Sequence, residues 1–463
     1  MSTAFATGLA RITVATPDRR IDLALPTNVA LAGLLPSLLR HAGDGFADDG
    51  EQHGGWALRR GDGAELTTAE TLSAHHVRDG ELLHLVPRHA EWPEADCDDV
   101  VHSIAAGARR YGQPWEPATT RRATALVAAA FLGLALAVLL TSGPAWVLPG
   151  GTALGLSALL VVAGIVLSRA LADSLTGVVV AALGLPFALA GGALVVAGAV
   201  PLTRLGAPSV LLGSVLLIGT SLLGYAGVAD RARVFSGGIV LGLAGVLGSG
   251  LALAGMAPLP AVGVVLTVVV LLTPLVPLLA IRLGRIPVPA LPEDAGAVLD
   301  DQPTVPAPAV FASVARADEI LTGALLGGAV AGGVCLLVLG TVGGLAVPLL
   351  TGVCALAFLL RTRLFLAPRQ RVPLLVAGLI GVGTMAMRLA LELEPALRGS
   401  LVVVGLAAVG GTVIAGGLVY SRRSPSPYLG RFLELLDALV LMSAIPIACA
   451  ATGVFQAARG YFG

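Results

Sequence analysis

ATALVAAAFLGLALAVLLT, residues 123–141, carries no charged side chain over a length of 19 residues. A helix rises about 1.5 Å per residue, so roughly 17–25 mostly apolar residues cross the hydrocarbon layer. Ten similar runs follow, at about 146–168, 174–200, 207–229, 235–256, 259–281, 320–341, 345–360, 372–391, 400–420 and 432–456. Lipid offers free backbone groups no partner, and the runs lack the alternation of a membrane barrel, so each reads as a helix. Prolines inside two runs, Pro186 and then Pro274 with Pro277, leave ten or twelve spans as alternative counts. The fold class is a polytopic α-helical membrane protein, with about 11 transmembrane helices over residues 123–463.

A mean hydropathy of +0.88 with 56% apolar residues excludes a soluble main body. The net charge of zero hides a division along the chain. All basic residues are Arg, all seven His lie between His41 and His102, and most acids precede Arg121. With the N-terminus in the cytoplasm, the inner connections hold Arg121, Arg122, Arg169, Arg231, Arg233, Arg282, Arg285, the arginines from Arg361 to Arg371, Arg422 and Arg423. The outer side holds only Arg204, Arg398 and Arg459. That bias predicts a multi-pass protein of the cytoplasmic (inner) membrane with its N-terminus inside and its C-terminus outside. The opening MSTAFATGLA has no basic n-region or long apolar core, so no cleavable signal is expected.

Catalytic and transport chemistry have little to work with. Ion relays need ionisable groups deep in the membrane, and the centres of the runs contain none. Asp173, Asp318, Glu319, Glu434 and Asp437 fall near inner helix starts, where the positive dipole end favours acids. Arg388 lies near an outer end with Glu392 four residues on, a local pair. A GxxxxGK[ST] phosphate loop requires the Lys that the chain lacks, and HExxH and GxSxG are absent. His75 and His76 are adjacent and point apart on a strand, which suits no metal site. Cys97, Cys335, Cys354 and Cys449 show no ligand spacing and read as small apolar fillers. No catalytic residue, metal, cofactor or nucleic-acid partner is expected. What the spans do hold is small residues: Gly151/Gly155, Gly238/Gly242 and Gly328/Gly332 are GxxxG pairs, candidates for close helix packing within or between copies.

The head, residues 1–90, reads differently. LARITVAT (9–16) and RIDLAL (20–25) alternate around a Pro17-Asp18-Arg19 turn, which predicts a hairpin. A helix follows, with Thr27 or Asn28 as N-cap, Gly43 as C-cap and Pro36 as a possible kink. Short strands at WALRR (56–60) and LLHLVP (82–87) complete a ββαββ order, a β-grasp arrangement. TLS (71–73), Val77, Asp79-Gly80 and LLHLV (82–86) resemble the last third of ubiquitin. Leu72 and Val77 would plug the open end of the sheet while alternate residues of 82–86 face the helix. No Gly-Gly tail follows Pro87-Arg88, and the apolar docking residue of ubiquitin falls near Arg60. Conjugation and that docking mode are therefore not expected.

A ubiquitin-like head, an Arg-bearing linker and eleven spans together resemble EccD, the polytopic membrane component of the actinobacterial type VII (ESX) secretion system. LPSLLRHAG (35–43), TLSAHHVRDGELLHLVPR (71–88) and VARADEIL (314–321) carry the resemblance. It implies a homodimer around a wide apolar vestibule, with partners EccC (the ATPase), EccB and EccE, in contact with membrane lipids.

Two segments are left to recognise partners. The cytoplasmic linker 91–122 holds Trp92, Tyr111 and Trp115 beside Arg109, Arg110, Arg121 and Arg122. These either anchor the first span at the interface or form a docking surface; the arginines sit near anionic headgroups in both cases. The Pro-rich cytoplasmic loop 282–319, with Arg316, is either a passive connection or a partner-binding strap. The expected function is a non-enzymatic scaffold and vestibule subunit that self-associates and recruits the ATPase. The alternatives are a secondary transporter, which would need midplane charge, and a lipid-linked transferase, which would need acidic metal-binding loops.

Overall fold

Strict alternation builds the N-terminal unit. The structure is a computed structural model, and it describes residues 8–16, 19–43, 55–88, 117–228, 232–287, 306–422 and 426–453. The chain divides into two units, Met1–Trp115 and Glu116–Gly463. In the first, β1 (Leu9–Ala15), β2 (Arg20–Pro26), α1 (Leu31–Ala42), β3 (Trp56–Arg60) and β4 (Leu82–Pro87) follow the expected order. The sheet order is β2-β1-β4-β3, with β1 and β4 parallel at its centre. Ile12, Val14, Leu58, Leu83 and Leu85 face α1 and are almost wholly buried, and Leu72 closes the open end.

Two local expectations are corrected. Neither Thr27 nor Asn28 caps α1; the N-cap is Ala30, whose side chain offers no acceptor. The free N–H groups of Leu31 and Ala32 donate instead to the carbonyls of Glu70 and Thr68, so tertiary packing replaces the cap. His75 and His76 lie in a turn, with His76 at φ 51°, rather than on a strand. Pro17, Asp18 and residues 44–54 lie outside the described residues.

Among its described residues the second unit has 11 helices long and apolar enough to cross a membrane. They are α2 (Pro117–Thr141), α3 (Val147–Arg169), α4 (Ser174–Val195), α5 (Ala207–Gly227), α6 (Arg233–Leu253), α7 (Pro258–Leu272) continued by α8 (Val276–Gly284), α9 (Ala307–Gly340), α10 (Ala346–Arg361), α11 (Pro368–Glu392), α12 (Val404–Arg422) and α13 (Pro427–Ala451). α4 runs unbroken through Pro186. Pro274 and Pro277 have a larger effect, because neither has an N–H to give the carbonyl four residues back. The chain tightens there into a 3-10 turn, Thr273–Leu275, and α7 and α8 form one crossing, Pro258–Gly284.

α9 is the axis of the bundle, touching α6, α7, α8, α10 and α11. It begins at Ala307, with Pro308 in its first turn, so the expected loop ends well before 319. Residues 314–321 are therefore helical, and Asp318 and Glu319 lie inside the helix rather than at its start. By contrast α2 and α12 are barely covered: 0% and 6% of their apolar windows are buried.

Candidate interaction surface and its charge layer

Glycine sets how closely the helices approach. A Cβ on Gly164 of α3 would lie 2.7 Å from the Ala181 Cβ of α4, and one on Gly177 would lie 2.6 Å from the Gly164 carbonyl. Real Cβ atoms do not come so near, so these backbones touch only because both positions are glycine. Gly237 of α6 and Gly323 with Gly327 of α9 form a second crossing of this kind. Gly323 and Gly327 stand at GxxxG spacing, a pair outside the three expected above, whereas Gly164, Gly177 and Gly237 belong to no GxxxG pair and have their partners on other helices.

The three GxxxG pairs fall into different surroundings. Gly238 and Gly242 face α5: Gly238 abuts Ser221, and a Cβ on Gly242 would meet the Ser214 carbonyl at 2.9 Å. Gly332 abuts Phe358 of α10, while Gly328 has only Val269 nearby, at 3.7 Å from its Cβ position. Gly151 and Gly155 have nothing within 4 Å and lie on the open side of α3.

Arginines tie helices together by donating to backbone carbonyls, in the case of Arg169 to those that α5 leaves unpaired at its C-terminus. Arg169 donates through Nε to the Gly227 carbonyl at 2.7 Å and through Nη2 to that of Ala226 at 2.9 Å, closing the end of α5. Arg388 of α11 donates to the Val342 carbonyl and pairs with Glu392 at 2.8 Å. Arg363 donates to the Gly430 carbonyl at 3.0 Å, next to the start of α13.

Acids on α9 make further joints. Asp318 pairs with Arg369 and accepts from Gln370 Nε2 at 2.9 Å. Glu319 accepts from the Arg233 N–H at 3.2 Å. Neither acid sits at the start of its own helix, but Glu319 does meet the N-terminus of α6, whose first residue is Arg233. Asp173 does act at a helix start: it is the N-cap of α4, accepting from the Thr176 N–H and hydroxyl. Those bonds hold its carboxyl below the usual carboxylate range.

The deepest member is Arg361, expected in a connection but only 1% exposed. Its Nε lies 3.7 Å from Asp437 Oδ1 of α13, and its Nη1 donates to the Val270 carbonyl of α7. Val270 is the residue four before Pro274; its carbonyl accepts the Thr273 N–H in place of the one the proline lacks, and Arg361 adds a second donor.

Of the proposed partner-recognition residues, Arg121 and Arg122 lie exposed in the first turns of α2, and Arg316 lies exposed on α9. Trp92, Arg109, Arg110, Tyr111 and Trp115 lie outside the described residues. Among the described residues no three His, Cys, Asp or Glu side chains gather as a metal site. Arg60 of the head is engaged by Glu81 at 2.7 Å and by the His75 carbonyl at 2.6 Å.

Both parts of the chain match known families. Residues 120–461 match the EccD-like transmembrane domain, and residues 9–85 match YukD, a protein of the WXG100 protein secretion system. Two Mycobacterium tuberculosis sequences (strains CDC 1551 / Oshkosh and ATCC 25618 / H37Rv), both named ESX-4 secretion system protein eccD4, are 29% identical over 482 residues, covering 98% of this chain and 97% of theirs. The fold is shared with a solved structure of protomer 1 of the ESX-3 core complex, at 22% identity and a TM-score of 0.58, covering 97% of this chain and 99% of that one. A chain of the MycP5-free ESX-5 inner membrane complex in State II also shares it, at 22% identity and a TM-score of 0.54, covering 88% and 99%.

Proposed function

This chain belongs to the EccD family, and on that premise we propose that it is a non-enzymatic membrane scaffold of a type VII (ESX) secretion complex. The observation that carries this reading is the ordered pairing of a YukD-like head, residues 9–85, with an EccD-like membrane domain, residues 120–461. In this reading two copies associate through their helices, the head and linker recruit the EccC ATPase with EccB and EccE, and the energy comes from EccC. Support comes from the charges, which are used to join helices: Arg169, Arg361, Arg363 and Arg388 all donate to backbone carbonyls. The near-bare α2 and α12 fit a subunit whose outer helices meet lipid or other subunits. The arginine bias supports an orientation with the head and the segment after α8 in the cytoplasm and the C-terminus outside.

Purification of the tagged full-length chain from its own membranes in mild detergent tests this reading. Recovery with a large ATPase is the expected result. A lone chain that drives ion-dependent uptake in proteoliposomes, or turns over a lipid-linked donor, would replace it with one of the alternatives. Reporters fused to each terminus test the orientation, and a head found outside would overturn that part.

A further inference from the structure

A groove of about 570 Å³ opens between α5, α6, α7, α8 and α9, inside a single copy of the chain. Its walls are almost entirely aliphatic, and small residues of α9, Ala324 and Gly328, make the room. Two of the three hydroxyls in its lining are already used: Ser236 donates to the Arg233 carbonyl and Thr273 to that of Val269, which leaves that of Tyr225. Water in such a space would find few of the two to four polar partners it needs, so the natural occupant is a hydrocarbon. The volume lies within the range of small-molecule sites, about 300–1,000 Å³.

Past its α8 wall the chain turns basic, although no arginine lines the groove itself. Val276, Leu279, Ala280 and Leu283 of α8 line it at helical spacing. Arg282 lies between the last two of these, and Arg285 just beyond, at a left-handed cap with φ 53°. Both are exposed, and neither guanidinium has a hydrogen-bond or ion-pair partner among the described residues. The neighbouring acid, Glu319, is matched by Arg233. An apolar groove whose α8 wall runs on to two arginines without a partner among the described residues is complementary to a molecule with a hydrocarbon tail and an anionic head. We propose that the groove holds an acyl chain of an anionic phospholipid, with its phosphate against Arg282 and Arg285.

The site belongs to one copy of the chain and does not depend on the assembly proposed above. Native mass spectrometry of the full chain in detergent micelles, supplemented with phosphatidylglycerol or phosphatidylcholine, tests it. One phosphatidylglycerol retained per chain is expected, with phosphatidylcholine retained several-fold less. The Arg282→Gln/Arg285→Gln variant should lower phosphatidylglycerol retention to the phosphatidylcholine level. Gly328→Leu should displace both lipids, because a Cβ there meets only Val269, at 3.7 Å, and the longer side chain enters the groove. Ala324→Phe fills the same space should Gly328→Leu fail to give a folded chain. Equal retention of the two lipids would overturn the proposal. So would retention that survives the filling variants, which would place the lipid elsewhere. Increased retention on replacing residues 288–305 with a Gly-Ser linker would assign the groove to that segment instead.

Discussion

Arg361 Nε lies 3.7 Å from Asp437 Oδ1, joining α10 to α13, and the same guanidinium donates to the Val270 carbonyl of α7. Three helices meet at one fully buried cation. Removing one member of a buried pair typically costs about 3–5 kcal/mol, because the survivor keeps its desolvation penalty. Asp437→Leu should therefore lower the thermal transition of the detergent-solubilised chain strongly. Arg361→Met with Asp437→Leu should recover a good part of that loss, leaving mainly the Val270 carbonyl without its extra donor. Equal losses in the single and double variants would mean that the pair contributes only through packing.

Gly164 and Gly177 make the opposite kind of joint, one that works by the absence of a side chain. Gly177→Val would place a branched side chain against the Gly164 carbonyl, 2.6 Å from where its Cβ must lie. Overpacking typically costs about 1–3 kcal/mol, and here backbone meets backbone, so the upper end is expected. Gly155→Leu, with nothing within 4 Å, should leave the stability of the single chain unchanged. Any change that Gly155→Leu makes in the elution volume of the solubilised oligomer would then report a contact between copies.

The same two joints show where sequence reading succeeds and fails. Spans are legible because lipid permits only long apolar helices, so residues 123–141 need no further context. The head is legible because the period-2 pattern of Ile12, Val14, Leu83 and Leu85 has one consistent burial. GxxxG spacing says which residues share a face of one helix, but not what stands opposite. Gly238 and Gly242 face α5 within the chain, whereas Gly151 and Gly155 face outward. Arg361 follows an apolar run and so reads as the end of a span. Its burial against α7, where the Val270 carbonyl already accepts the Thr273 N–H, has no signal in the sequence. The start of α9 was hidden by prolines that suit a first helical turn as well as they suit a loop.

Asp173 gives the membrane unit an acid-sensitive helix start. The Thr176 hydroxyl, at 2.8 Å, and then its N–H hold the carboxyl below the ordinary 3.8. A group whose folded value is lowered stabilises fully above its unfolded value, and the contribution disappears as pH falls through the folded one. The difference in thermal midpoint between the natural chain and Asp173→Ala should therefore be constant at neutral pH. It should begin to shrink below about pH 4, near the unfolded carboxylate value. A difference that grows on acidification would contradict the assigned cap.

Leu72 has no exposed surface and closes the head's core against Leu31, Leu83 and Leu85. Leu→Ala at such a site costs about 2–5 kcal/mol, a large share of the roughly 5–15 kcal/mol that a small domain possesses. Leu72→Ala should therefore make residues 8–88 protease-sensitive at a temperature where the natural head resists. The membrane unit should still insert and resist cleavage, since its helices are fixed by lipid and by their own packing. Exposed Arg78→Ala is the matched control and should change neither. If the head recruits the ATPase, Leu72→Ala should also abolish its recovery in the pull-down while Arg78→Ala preserves it. Full recovery with an unfolded head would move the recruiting surface to the linker or to the segment after α8.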